Sequence, residues 1–316
     1  MQAGCHSRYS GLGSLVRPVI FRWSMLAIVA FADFVWLVRD GWTVELRSLL
    51  PRAMIVMAFC TPLLIKRYRR DDKLRNLGEA IAYSLLFATA GEIFSYLVVS
   101  TDRPLVDASL AAADKTLGFD WGSYYLWATS HSNFSRVVRA AYDSMGSQLW
   151  IVFIYLSFTR RFSRLSELLD LSASLLVLTI IVSLFFPAEG ASKFYGAQYH
   201  ADVSRMFHFE LLRSGSMKTI DVGLMQGLIS IPSYHTIMGL VLCWSVRGSI
   251  LCPVLILVNS AMLLATPFVG GHYLVDLAAG AAVTVAGIRL RRYFCIDRKA
   301  LGDSTIMVGA GASHNA

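Results

Sequence analysis

Charge is scarce in this chain. Asp, Glu, Lys and Arg make up 16% of its 316 residues against 55% hydrophobic, whereas soluble domains carry roughly 25% charge. That balance excludes an ordinary water-soluble domain. Cysteine is scarce too: there are five, with no Cys-x-x-Cys, so neither a disulfide framework nor a thiolate zinc site is indicated. No internal repeat of 20–50 residues is apparent, which removes the inverted-repeat pattern of transporters.

What the sequence has instead is apolar runs of about 13–23 residues, long enough in several cases to cross a bilayer. The net charge of +8 invites a nucleic-acid reading. The cations, however, collect in short loops between the runs, as cytoplasmic loops of membrane proteins require. No nucleic acid is called for. The expected fold is all-α: a polytopic helical membrane protein with about eight spans and a six-helix catalytic core.

Residues 1–18 read as a polar, flexible lead. The first run, Val19 to Val38, continues past the small-x-small site Ala30-Phe31-Ala32 and reads as an uncleaved helix, with Arg22 snorkelling to the inner interface. Asp33 is expected to face protein or the interface. The second run, Ala53 to Ile65, ends in Lys66-Arg67-Tyr68-Arg69-Arg70, which fixes the following loop inside. Leu77 to Val99 then goes outward, with Glu79 and Glu92 serving inter-helix hydrogen bonds. Leu105 to Trp121 is too polar to span and reads as an amphipathic surface helix, followed by the interfacial aromatics Trp121, Tyr124, Tyr125 and Trp127. Further runs are Ala141 to Phe158, Leu168 to Phe186, Pro232 to Val246, Leu251 to Ala265 and His272 to Ile288. A long polar stretch, residues 188–231, is expected outside. The resulting divisions are 1–75 (tail and two helices), 76–292 (core) and 293–316 (a polar cytoplasmic tail).

Two motifs carry candidate chemistry. His272 and Asp276 are four residues apart, so on a helix the carboxylate can accept the imidazole N–H and fix its tautomer. Gly270 and Gly271 leave room beside the histidine for a ligand. The second motif, Pro232-Ser233-Tyr234-His235, opens another apolar run. Both histidines then fall at outer helix starts, where unpaired N–H groups form an anion site suited to phosphate. Ser233 has two readings, a phosphate donor or an N-cap. Two His and one Asp could also form a facial metal triad, although no third histidine or second carboxylate is tied to the motifs by spacing, His200 and His208 merely sharing a loop; a non-enzymatic transporter is the remaining alternative.

Pro-Ser-x-His and His-x3-Asp together resemble the second and third motifs of the type 2 phosphatidic acid phosphatase superfamily. The wording His272-Tyr273-x-x-Asp276-Leu277, with Thr266 where the phosphatases usually carry Arg, is similar to the inositol phosphorylceramide synthase branch. The first motif, Lys-x6-Arg-Pro, is not intact: Lys193 is followed seven residues later by His200 and then Ala201. The resemblance implies a membrane enzyme acting on a lipid phosphate or phospholipid, without cofactor or metal, facing the outside or periplasm of the plasma (inner) membrane. It implies His272 as nucleophile forming a phosphohistidine, Asp276 as its orienting carboxylate and His235 as proton carrier. Phosphate-binding cations are sought in the loop that offers Lys193, Arg205, Arg213 and Lys218. Arg213 ranks first with Lys193: Arg213-Ser214-Gly215 resembles the basic stretch before Pro-Ser-x-His in the synthase branch, and Lys193 follows Phe186-Pro187-Ala188, where the first motif would begin. Whether water or a lipid hydroxyl accepts the phosphoryl group is left open.

Overall fold

The computed structural model describes the backbone of residues 12–311 and the side chains of residues 19–293 except Arg205. The first part of the polar lead, Cys5 and the side chains of Arg205 and Cys295 lie outside the described residues. The fold is all-α, with one two-residue parallel pairing, β1 (Thr43–Val44) with β2 (Thr219–Ile220).

In chain order the helices are α1 (Leu12–Arg39), α2 (Leu50–Cys60), the single turn α3 (Lys66–Arg69) and α4 (Asp72–Val99), capped by Asp71. Next come α5 (Asp107–Thr116), α6 (Trp121–Ser130), α7 (Ser132–Asp143), α8 (Met145–Phe158) and α9 (Phe162–Phe185). Two short turns, α10 (Ala191–Phe194) and α11 (Gly196–Tyr199), lead to α12 (Phe207–Arg213), and the chain ends in α13 (Tyr234–Ser245), α14 (Leu251–Val269) and α15 (Leu274–Gly311).

Among the described residues five helical stretches are long and apolar enough to cross a membrane: Val19–Arg39, Leu46–Leu64, Asp72–Val99, Phe162–Phe185 and Leu251–Val269. The protein is an integral membrane protein. Three expected runs are divided differently. Ala141 to Phe158 breaks at Ser144, leaving a 14-residue α8, and Pro232 to Val246 yields a 12-residue α13. At 1.5 Å per residue these measure about 21 and 18 Å, short of a hydrocarbon core of roughly 30 Å. The last run belongs to α15, whose helical backbone carries on through most of the tail that was expected to be merely polar.

The main core lies where α4, α8, α9 and α13 meet, around Ile81, Leu156, Leu168, Ile237 and Leu242. Arg22 does not snorkel. It is 5% exposed and reaches Glu79 of α4 at 3.3 Å and Asp170 of α9 at 3.5 Å, while Arg291 of α15 takes the other Asp170 oxygen at 2.5 Å. A charge this buried is tolerated only when paired, so the network fixes four helices at one level. Asp33 is buried, as its cost in lipid demands. On the other side, α2 buries no residue and joins α4 through Arg52–Glu92 at 2.7 Å.

Residues 188–231 are not a loose polar exterior. Phe209, Leu212, Ile220, Val222 and Leu228 form a cluster with Trp42, Tyr96 and Leu97, each burial stabilising by roughly 1.5–3 kcal/mol. The β1–β2 pairing and hydrogen bonds of Tyr96 Oη with His208 Nδ1 and the Gln226 N–H, both 2.7 Å, fasten this cap over the end of α4. The polar residues that suggested a loop alternate with apolar ones that the cap turns inward.

Candidate active site

The third motif begins before a helix rather than in one. α15 starts at Leu274, two residues beyond His272. Gly271 takes φ +70°, a region open to glycine, and the His272 N–H turns back to the Thr266 carbonyl at 3.4 Å. This turn delivers His272 Nδ1 to Asp276 Oδ2 at 3.2 Å. The same oxygen accepts the Tyr273 N–H at 3.0 Å and the Ser230 hydroxyl at 2.5 Å. Asp276 is fully buried and His272 is 5% exposed.

The two glycines make room for protein. A Cβ at Gly270 would lie 2.7 Å from the Tyr142 hydroxyl, and one at Gly271 would lie 2.3 Å from the end of Met206 and 3.0 Å from Ser192. Their smallness lets the cap and α7 close on the histidine turn, and both glycines also line the void beside His272.

His235 enters on the first turn of α13. Ser233 is the N-cap, its side chain accepting the Thr236 N–H, so the capping reading holds for its hydroxyl. The Ser233 N–H donates to the Asp276 carbonyl at 3.0 Å. A Cβ at Gly280 would sit 2.7 Å from the Ser233 carbonyl, so this glycine permits the contact of α15 with the start of α13. The result brings the two histidine rings to a centroid separation of 6.3 Å. Tyr142 stacks on His235 at 4.2 Å, with its hydroxyl 3.3 Å from Nδ1.

The start of α15 is not an open anion site. Asp114 of α5 fills it, accepting the Leu274 and Val275 N–H groups at 2.9 Å each. One side of α5 is buried: two turns earlier Asp107 accepts the Glu189 and Gly190 N–H groups at 3.0 Å each and the Tyr273 hydroxyl at 2.9 Å. The helix is amphipathic as expected: its aspartate face is a buried clamp while Ala108, Ser109, Ala112, Lys115 and Thr116 are exposed; Trp121, expected at the interface, is instead 2% exposed with its indole N–H on the Pro267 carbonyl at 2.9 Å. Burial pushes the Asp107 and Asp114 carboxyls up, against the pull of their N–H and O–H donors. The Glu189 carboxyl is raised by burial and then by Asp107.

Two spaces adjoin the histidines. A void of about 10 Å³ lies between Glu189, Ser230, Gly271 and His272, room for roughly one water. A chamber of about 480 Å³ runs from His235 and His272 in among α4, α8 and α9. Lys193 does not line the void itself: its Nζ lies 3.7 Å from Glu189, which does, and 2.9 Å from Glu210. Arg213 is turned away, bonded to Asp102 at 2.7 Å and to the Arg103 carbonyl at 2.9 Å. The Thr266 hydroxyl bonds back to the Met262 carbonyl inside α14. Among the described residues no three or more His, Cys, Asp or Glu side chains are grouped to hold a metal ion.

The model of the PAP2 superfamily matches residues 108–290. The chain belongs to the PAP2 superfamily. For a PAP2 protein the match is informative in its extent, beginning inside α5 and ending in α15, so that it takes in Asp114 and both histidine motifs, with Asp107 one residue before it. Membership supports a phosphatase-type activity on lipid phosphates. No curated protein and no solved structure matches the chain.

Sequence reasoning missed Asp107, Asp114, Ser230 and Tyr142. The seven-residue spacing of the two aspartates, two turns on one helix face, was a signal that could have found the clamp. Nothing local marks Ser230 or Tyr142.

Proposed function

We propose that this PAP2 protein cleaves a phosphoester of a membrane lipid through a phosphohistidine on His272. The observation that carries the reading is a pair of histidines set edge-on 6.3 Å apart, both lining a largely apolar chamber, one of them held by a buried carboxylate. An ionised Asp276 accepts only, so Nδ1 of His272 donates and Nε2 keeps its lone pair. Nε2 attacks phosphorus, the bond from phosphorus to the lipid oxygen breaks, and His235 gives that oxygen its proton. In the second half the acceptor oxygen takes the phosphoryl group from His272 while its proton passes to His235. Water as acceptor makes a phosphatase. A lipid hydroxyl makes a head-group phosphotransferase, which the synthase-like wording around Asp276 favours by ancestry.

Of the proposed phosphate-binding residues, Lys193 suits the role best, because its partner Glu189 lines the void shared with His272. Arg213 and Ser233 serve this reading as supports, one tying α12 to the Asp102 turn and the other capping α13. Cations follow residues 65, 159, 246 and 288, which supports a reading with those ends inside and the histidines toward the outside or periplasm.

The test is incubation of the purified protein with a labelled phospholipid panel, following inorganic phosphate and new lipids together, with and without EDTA. Turnover that survives chelation, disappears in His272→Ala and leaves a trappable phosphoenzyme in the wild type is expected. Loss on chelation, restored by one divalent ion, would replace the phosphohistidine with the metal-dependent reading.

A further inference from the structure

The two histidines of the site meet chemically different partners. Nδ1 of His272 lies 3.2 Å from the Asp276 carboxylate, whereas Nδ1 of His235 lies 3.3 Å from the Tyr142 hydroxyl. The Tyr142 ring also covers the His235 imidazole, with 4.2 Å between centroids and 18° between planes. Tyr142 is itself held firmly. It is buried in one apolar cluster with Met262, Ala265 and Phe268 of α14. Two residues on, the break between α7 and α8 is tied to α14 by the hydrogen-bond chain Ser144–Gln148–Asn259, with links of 3.0 and 2.8 Å. The hydroxyl would lie only 2.7 Å from a Cβ at Gly270, so it rests against the turn that leads to His272 while it faces His235.

The difference in partner matches a difference in task. A carboxylate accepting Nδ1–H raises the basicity of the far ring nitrogen, which suits a nucleophile. A proton carrier must be protonated on both nitrogens before the lipid oxygen leaves and on one afterwards, so a partner that clamps the imidazolium would slow it. A phenol is neutral, and its oxygen can accept the Nδ1–H in both states. Its ring face attracts the imidazolium, more weakly than a carboxylate would. We infer that Tyr142 is the positioning residue of His235: its hydroxyl keeps one proton on Nδ1, so that all proton traffic runs through Nε2. In the first half-reaction Nε2 gives its proton to the lipid oxygen as the bond from phosphorus to that oxygen breaks. In the second, Nε2 takes the proton of the acceptor hydroxyl as oxygen bonds to phosphorus and the bond from phosphorus to His272 breaks. This rests on the reading of His272 as nucleophile and His235 as proton carrier.

Tyr142→Phe keeps the ring and removes the hydroxyl. With the full-length protein in nanodiscs, rapid-quench trapping measures phosphoenzyme formation from p-nitrophenyl phosphate, whose leaving group needs no proton, and from an alkyl phosphate. The ratio of the alkyl to the p-nitrophenyl rate is expected to fall about tenfold or more, part of the roughly 10²–10⁴ that general acid catalysis supplies. A packing role alone slows both substrates by the same factor, so an unaltered ratio overturns the inference. In a His235→Ala background Tyr142→Phe is expected to leave the alkyl rate where His235→Ala puts it, because the two residues act as a unit; a further tenfold loss there also overturns it. If Tyr142→Phe does not accumulate, nitrogen NMR of the wild type labelled at its histidines decides, with the His235 signals assigned by their loss in His235→Ala. A neutral ring protonated on Nδ1 supports the role; a ring protonated on Nε2 with Nδ1 bare means that the phenol donates, and overturns it. A wild type that forms no phosphoenzyme from either substrate removes the catalytic reading, and the role of Tyr142 falls with it; phosphoenzyme with an unaltered ratio removes the role alone.

Discussion

At the residue scale, Asp276 concentrates three hydrogen bonds on one oxygen, Oδ2. Its other oxygen is buried without a partner among the described residues, so the hold on His272 depends on Oδ2 alone. Asp276→Asn is expected to keep the fold and slow phosphoenzyme formation by up to about 10⁴, because a wrong tautomer presents no lone pair at Nε2. Rapid-quench trapping measures it, and wild-type trapping rates in the variant would remove the orienting role. His235→Ala should still form phosphoenzyme from p-nitrophenyl phosphate, whose phenoxide leaves unprotonated, but not from an alkyl phosphate. Equal loss on both substrates would show that His235 does more than protonate the leaving group. Asp107 makes a prediction about pH. Its folded value is raised by burial above the ordinary 3.8, so its contribution to stability is complete below that value and declines as pH rises through the folded one. The difference in thermal midpoint between wild type and Asp107→Asn in detergent should therefore shrink from pH 4 upward. A difference that widens with pH would mean that the charged form is the favoured one.

At the element scale, α5 and α13 have outsized effects for their length. α5 is ten residues long, yet it joins the Glu189–Gly190 turn to the start of α15 and so fixes the turn that holds His272 between them. Removing Asp114 leaves two part-buried backbone donors without their carboxylate, at up to about 1–3 kcal/mol each. Asp114→Ala is expected to lower the thermal midpoint and the phosphoenzyme rate together, with Asp114→Asn recovering part of both. A stability loss with an unchanged rate would separate the clamp from the site. α13 was legible as an apolar run starting at Pro-Ser-x-His, and its cap was legible in Ser233. Its bounds differ from the run by only a few residues, with Ser233 as its N-cap and Val246 as its C-cap.

At the scale of the whole molecule, the proposed orientation rests on where the cations stop the helices. Single cysteines at Arg70 and Gln198, in a background without the native five, should react with an impermeant maleimide from opposite sides. Reaction from the same side would invert the placement of the cap. The sequence by itself determined the all-α membrane class, since scarce charge and long apolar runs leave helices as the way to satisfy the backbone in lipid. It also determined the His272–Asp276 and Pro232–His235 motifs, because short spacings specify neighbours whatever surrounds them. Only the tertiary structure decided what those motifs meet. Asp114 rather than a ligand sits at the start of α15, Arg22 pairs across the bundle instead of snorkelling, and residues 188–231 fold down as a cap. Each depends on partners tens to hundreds of residues away, brought into range by helix packing; local periodicity can mark a face, as the spacing of Asp107 and Asp114 does, but not the distant groups that face meets.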